Sequence, residues 1–281
     1  MMKTNLILVE GLPGFGKSTT AKFVKDLLEK QNEKVELFLE GDLDHPADYD
    51  GVAYLTEDAF DALMKEFPEY REAAAAYTTE SKDHHMLISY VKMKNDIIAP
   101  DAFWEKLSSR DIYELPLDVH MKLITERWEK FAEESAANDL IYIFECCFIQ
   151  NPVTMSLVKY NESDDTAIEY VHRLADAVES LNPLLLYVTQ NELENAFLKA
   201  VEDRPKDWID FFMDYYCGQG YGKANGYEGL EGTIEVLRTR HALEMKIFHS
   251  LKMEKFLLDN SAFDRENHLS RLENLLLETK I

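Results

Sequence analysis

In 281 residues this chain carries 53 acidic against 30 basic side chains, a formal charge of −23 at pH 7. A field of that sign repels nucleic-acid backbones and anionic membranes, so neither is expected as a partner. With 46% apolar residues and no uncharged stretch long enough to cross a bilayer, the composition is that of a globular protein. Its length fits one large domain or a core with an inserted cap.

The first apolar run, residues 6–9, is too short for the hydrophobic segment of a secretory signal, and glycines follow it at once. It reads as a buried strand in a cytoplasmic protein. Four more such runs follow at 35–39, 141–144, 184–188 and 256–258. Continuous rather than alternating apolarity predicts strands covered on both faces, as in a parallel sheet. Between the first two runs, Ala21, Val24, Leu27 and Leu28 fall at helical spacing and Asn32 marks a stop. Strand, glycine turn, helix and strand make a βαβ unit. Helices are also predicted over 165–181 and 233–253. The expected class is α/β, a doubly wound parallel sheet of five strands.

Residues 54–135 break the repeat. They are rich in Ala, Glu, Lys and aromatics, and no strand is evident. A large helical insertion is expected there, interrupted at Pro68, Pro100 and Pro116, with 1–53 and 136–281 forming the core. Six of the eleven glycines lie between Gly218 and Gly232. Such density predicts a mobile loop, either an idle surface connection or a lid closing over substrate. Cys146, Cys147 and Cys217 have no metal-ligand spacing and read as reduced, buried side chains. His84 and His85 have no matching ligand pair, and Trp104, Trp128 and Trp208 are assigned to packing before any pocket.

The chemistry concentrates at three places. Residues 11–18, GLPGFGKS, satisfy the pattern GxxxxGK followed by Ser or Thr. Glycines let successive backbone N–H groups turn inward on an anion, and the following helix presents its positive end. Gly11, Pro13, Gly14, Phe15, Gly16, Lys17, Ser18 and Thr19 are therefore expected to hold ATP. Lys17 would reach the terminal phosphates and Ser18 would ligate Mg2+. The second place is the acidic turn Glu40-Gly-Asp42-Leu-Asp44-His45-Pro46, at the carboxyl end of the second strand. Asp42, and after it Asp44, could position or deprotonate an attacking hydroxyl, or simply cap the turn. The third is Glu145, an acid ending the third apolar run, expected in the metal shell or on the acceptor. Gln150 and Asn151 follow it closely. Charge on a migrating phosphoryl group also needs a cation, for which Arg204 is first choice ahead of Lys206, Lys223, Arg238 and Arg240.

These landmarks together resemble the P-loop small-molecule and nucleoside monophosphate kinases. The resemblance implies strand order 2-3-1-4-5, with the inserted helices binding a small-molecule phosphoryl acceptor. Gly41-Asp42-Leu43-Asp44-His45-Pro46 looks like the GDxxHP turn of gluconate-kinase-like and zeta-toxin-like kinases, which implies that Asp42 touches the acceptor hydroxyl. The span 257–261, LLDNS, looks like the strand and turn that flank adenine in such kinases. The chain departs from the adenylate-type pattern in having no DGxPR after the third strand. The alternative function is a nucleotide-dependent switch or NTPase with a protein partner on the insertion. An NKxD guanine signature is absent, which favours ATP.

Overall fold

The computed structural model describes residues 4–279. They divide into two compact units, one made of the residues up to Glu40 together with those from Trp128 onward, the other of Gly41–Arg127.

The first unit is an α/β layer built on five strands. Strand β1 (Leu6–Glu10) leads through the glycine turn into helix α1 (Lys17–Lys30) and then β2 (Val35–Phe38). Helix α1 buries Phe23, Val24, Leu27 and Leu28 and ends before Asn32, which takes a left-handed φ of 64°. That conformation is tolerated by Asn better than by most residues, so the stop is chemical.

In the second unit, β3 (Ala53–Leu55) is followed by α2 (Glu57–Glu66), α3 (Arg71–Ala76), β4 (Thr78–Glu80), β5 (Met86–Ile88), α4 (Tyr90–Asp96) and α5 (Asp101–Ser108). Helix α6 (Leu117–Ser135) then runs from the second unit into the first.

The first unit resumes with β6 (Ile141–Glu145), α7 (Gln150–Val153), a π-helical segment Thr154–Lys159, α8 (Asp164–Ala177) and β7 (Leu184–Thr189). It closes with α9 (Leu193–Glu202), α10 (Lys206–Cys217), α11 (Gly220–Ala224), α12 (Gly229–Ser250), β8 (Glu254–Asp259) and α13 (Arg265–Thr279).

The five-stranded sheet has the order β2-β6-β1-β7-β8, every neighbouring pair parallel. β1 lies at its centre, with Leu6 to Val9 fully buried, as a parallel strand covered on both faces must be. The outer strands β2 and β8 are only partly covered, and in β8 only Leu258 is buried. Counted over all eight strands the order reads 2-6-1-7-8, because three further strands intervene in the chain. Counted within the parallel sheet alone, the same succession is second, third, first, fourth, fifth.

The inserted segment departs from the purely helical insertion that its composition predicts. It holds a three-stranded antiparallel sheet, β3-β5-β4, with strands of three residues each, too short to leave a periodic signal. Its boundaries also differ from 54–135. Residues 41–53 belong with it because Ile112 N donates to Val52 O at 2.9 Å and Tyr113 Oη to Asp48 at 2.7 Å. The last turns of α6 belong to the other unit, because Trp128 and Phe131 pack on Phe144 at ring separations of 5.9 and 4.8 Å. Phe60, Leu63, Phe103 and Trp104 form the core of the insert. The three prolines do break helices: Pro68 opens a 3-10 turn, Pro100 precedes α5 and Pro116 precedes α6.

His45 is a buried neutral group in this unit. Its Nδ1 accepts the Ala47 N–H at 3.1 Å, and burial, with help from Arg127, holds its pKa down at about 3. A folded-state pKa below the unfolded value contributes stability above pH 6.5, and that contribution is lost as the pH falls. Asp48 and Asp111, pushed up by burial to about 6, act in the opposite sense. A His45→Asn variant retains those two carboxyls, so comparison isolates the imidazole. Urea titrations should show the stability advantage of the native chain over the variant shrinking by about 2 kcal/mol between pH 7 and pH 5. An advantage independent of pH would refute the assignment.

Among the described residues, no helix is long and apolar enough to cross a membrane.

Candidate functional site

The turn between β1 and α1 is shaped by glycine where a side chain has no room. At Gly11, with φ 142°, a Cβ would stand 2.4 Å from Val188 O. At Gly16, with φ 100°, it would stand 2.6 Å from Asn260 Nδ2, which donates to Phe15 O at 2.9 Å. Backbone positive φ and close approach together require glycine at both places. The result is a tight loop delivering the chain into the N-terminus of α1, where the first N–H groups have no helical partner.

Lys17 and Ser18 begin that helix. Lys17 is 6% exposed and its Nζ donates to Leu12 O at 3.2 Å. Burial alone would lower its pKa, but Cys146, Glu40 and Glu145 outweigh that and raise it, so the ammonium persists. Ser18 Oγ donates to Glu145 Oε1 at 2.6 Å. Glu145, at the end of β6, is 3% exposed, and its other oxygen accepts the Glu40 N–H at 3.3 Å. Glu40 takes Gln150 Nε2 on Oε1 at 2.9 Å and the Cys146 thiol on Oε2 at 3.5 Å. The pair order within the sheet explains the convergence: β6 lies between β2 and β1, so their carboxyl ends open side by side.

Two deeper groups hold this arrangement. Glu10, the last residue of β1, is fully buried and accepts the N–H groups of Phe148 at 2.8 Å and Gln150 at 2.9 Å. Burial pushes its carboxyl up to about 7 despite those donors. Arg240, 1% exposed, donates to Glu244 at 2.6 Å, to the Tyr216 hydroxyl and to Gln150 O at 3.4 Å. Tyr187 completes the network by donating to Glu244 at 2.5 Å.

A cavity of about 730 Å3 opens over the glycine turn. Glu40, Glu145, Gln150 and Arg240 line one part of it, and α10 contributes an aromatic wall of Trp208, Phe211, Phe212 and Tyr215. Elsewhere on its wall Lys199 lies over the Phe263 ring at 3.8 Å and Arg265 over Phe23 at 5.0 Å. Arg204 also lines it, its guanidinium 4.0 Å from the Trp208 ring centroid.

Of the residues singled out from sequence, Pro13, Gly14, Gly16, Lys17, Ser18, Thr19, Glu145 and Arg204 line this one cavity. Phe15 is buried beneath the turn. Asp42 belongs to the inserted unit, where its Oδ1 accepts the Asp44 N–H at 2.9 Å and closes its own turn. Asp44 pairs with Lys92. Trp208, assigned to packing, lines the cavity, whereas Trp104 and Trp128 are core residues.

The glycine-rich span 218–232 is largely helical rather than the single loop its composition predicts: Gly220 and Gly222 lie in α11 and Gly229 and Gly232 in the first turn of α12, with Gly218 and Gly226 in the bend and turn that flank α11. A Cβ on Gly222 would stand 2.1 Å from Tyr216 O, so glycine serves close packing at that position, whereas Gly226 and Gly229 face open space at positive φ. Sequence alone does not single out Glu10 or Glu40, and it sets Arg240 behind Arg204. The signal that selected Glu145, an acid ending an apolar run, applied equally to Glu10. No protein-family model matches the chain, and no curated protein matches it in sequence.

Proposed function

We propose that this chain is an ATP- and Mg2+-dependent phosphotransferase acting on a small molecule. The observation that carries the reading is the Ser18 hydroxyl bonded to the Glu145 carboxylate beside a buried, charged Lys17. Hydroxyl and carboxylate are the hard oxygen donors that suit Mg2+, so the donor set fits the ion. Ser18 and Glu145 would hold it, and bound Mg2+ would neutralise charge on the phosphates. The backbone N–H groups of residues 14–19 and the Lys17 ammonium supply the remaining positive potential. Arg204, which lines the cavity, would follow charge on the migrating group.

In transfer, the acceptor oxygen bonds to the γ-phosphorus as the bond to ADP breaks, and the hydroxyl proton passes to a carboxylate. Asp42 is one carboxylate for that role and Glu40 another. Glu40 lines the cavity, whereas the Asp42 side chain is engaged in its own turn.

The test is ADP formation from Mg·ATP, alone and with mixed acceptors. Glu145→Gln should lower acceptor-dependent turnover by about a hundredfold or more while the chain still binds nucleotide. Asp42→Ala, assayed alongside, reports whether that turn contributes. ADP formation at a steady rate that no acceptor changes would favour an NTPase or switch and end the transferase reading.

A further inference from the structure

The polar groups beside Lys17 differ in kind from those elsewhere on the cavity wall. Glu40, Glu145 and Gln150 form one bonded group, and each offers ligand-facing chemistry of the same sign. The carboxylates of Glu40 and Glu145 accept hydrogen bonds only. Gln150 spends its amide N–H on Glu40, while its Oε1 is buried and receives no donor. Gln150 is 6% exposed, and a buried carbonyl without a donor is costly enough that native proteins rarely leave one. A ligand that brings a donor to this residue relieves that cost.

Among the described residues, each cation near this group is engaged or assigned elsewhere. Arg240 reaches the group, but its guanidinium is spent on Glu244, Tyr216 and the Gln150 carbonyl. Lys17 belongs to the glycine turn. Lys199 and Arg265 lie over Phe263 and Phe23, and Arg204, over Trp208, is the cation assigned to the migrating phosphoryl group. A net charge of −23 adds a general repulsion of anions. Next to the acceptors stands an apolar, flat surface: Phe212 is stacked on Tyr216 at 4.2 Å and Trp208 follows at 4.8 Å from Phe212.

From this arrangement we infer that the phosphoryl acceptor is a neutral or cationic hydroxyl compound with an apolar face, bound through its own O–H and N–H donors to Glu40 and the Gln150 amide oxygen. The inference rests on the phosphotransferase reading and narrows it: the acceptor carries no phosphate of its own. A nucleoside or an amino sugar fits these demands, and a nucleoside monophosphate or sugar phosphate does not.

The experiment offers the full-length chain matched pairs, each nucleoside or amino sugar beside its own monophosphate, and follows ADP formation from Mg·ATP. ATP binding is measured separately by calorimetry. Turnover stimulated by unphosphorylated members and not by their monophosphates is the expected result. Glu40→Gln should then raise the acceptor KM about tenfold or more, with the KM for ATP changed less than about twofold. Gln150→Leu should show the same split, which a general loss of structure would not produce. Preferential use of the phosphorylated members would overturn the inference and leave the phosphotransferase reading standing. ATP binding without stimulation by either member of any pair would overturn both, and failure to bind ATP would remove their common foundation.

Discussion

Lys17→Ala is expected to lower nucleotide turnover at least about a thousandfold while the chain remains folded. The side chain is almost wholly buried at the start of α1, and two nearby carboxylates keep it charged. Its ammonium donates to the Leu12 carbonyl at 3.2 Å and, among the described residues, forms no ion pair with a carboxylate, so the native chain holds it by position and by field. Removing it leaves the acids Glu40 and Glu145 in possession of the site, which then repels a polyphosphate. Lys17→Arg should not restore activity, because a planar fork cannot replace a compact point charge in a turn this tight. ADP release and nucleotide binding measured on the same preparations provide the check. Turnover within tenfold of the native rate would rule out a phosphate-binding role for the turn.

Arg240→Leu is expected to cost about 3–5 kcal/mol of folding stability, the scale for breaking a buried pair by removing one partner. Glu244 is fully buried and would be left with the Tyr187 hydroxyl alone. The Tyr216 hydroxyl and the Gln150 carbonyl would each lose a donor in the same substitution. Replacing Glu244 by Leu as well should recover much of the loss, since the uncompensated charge is then gone. Urea unfolding at pH 7 decides it. A single variant within about 1 kcal/mol of the native chain would show that the network is not what holds α12 to the site.

The inner strands β1, β6 and β7 of the parallel sheet were legible because each is a short apolar run ended by a turn residue, and burial on both faces leaves that run unbroken; the partly covered β2 and β8 carry Glu36 and Lys255 within them and signal less clearly. The glycine turn was legible for a related reason: Gly11 and Gly16 occupy places where any Cβ collides. What escaped was chemistry without a local pattern. Arg240 sits within a 22-residue helix, and nothing in its neighbours shows that its face turns toward Tyr216 and Glu244 rather than water. Glu40 was hidden by Asp42, two residues on, in a turn where several acids compete. Three-residue strands give period-2 alternation too little length to register. The span 218–232 misled because glycine permits both a loop and close helix contact, and sequence does not distinguish them.

The central position of β1 has a consequence for how the chain is made. Its partners on either side, β6 and β7, lie more than a hundred residues downstream. At ribosomal speeds of about 5–20 residues per second, Leu6–Glu10 waits roughly ten to forty seconds for both neighbours. During that interval the inserted unit, whose core is drawn from residues 53–107, has emerged entire and can fold first. A strand buried on both faces is thus synthesised first and paired only after most of the chain has followed it. Translation rate and chaperone supply, more than final stability, would then govern how much of this protein a cell recovers in active form.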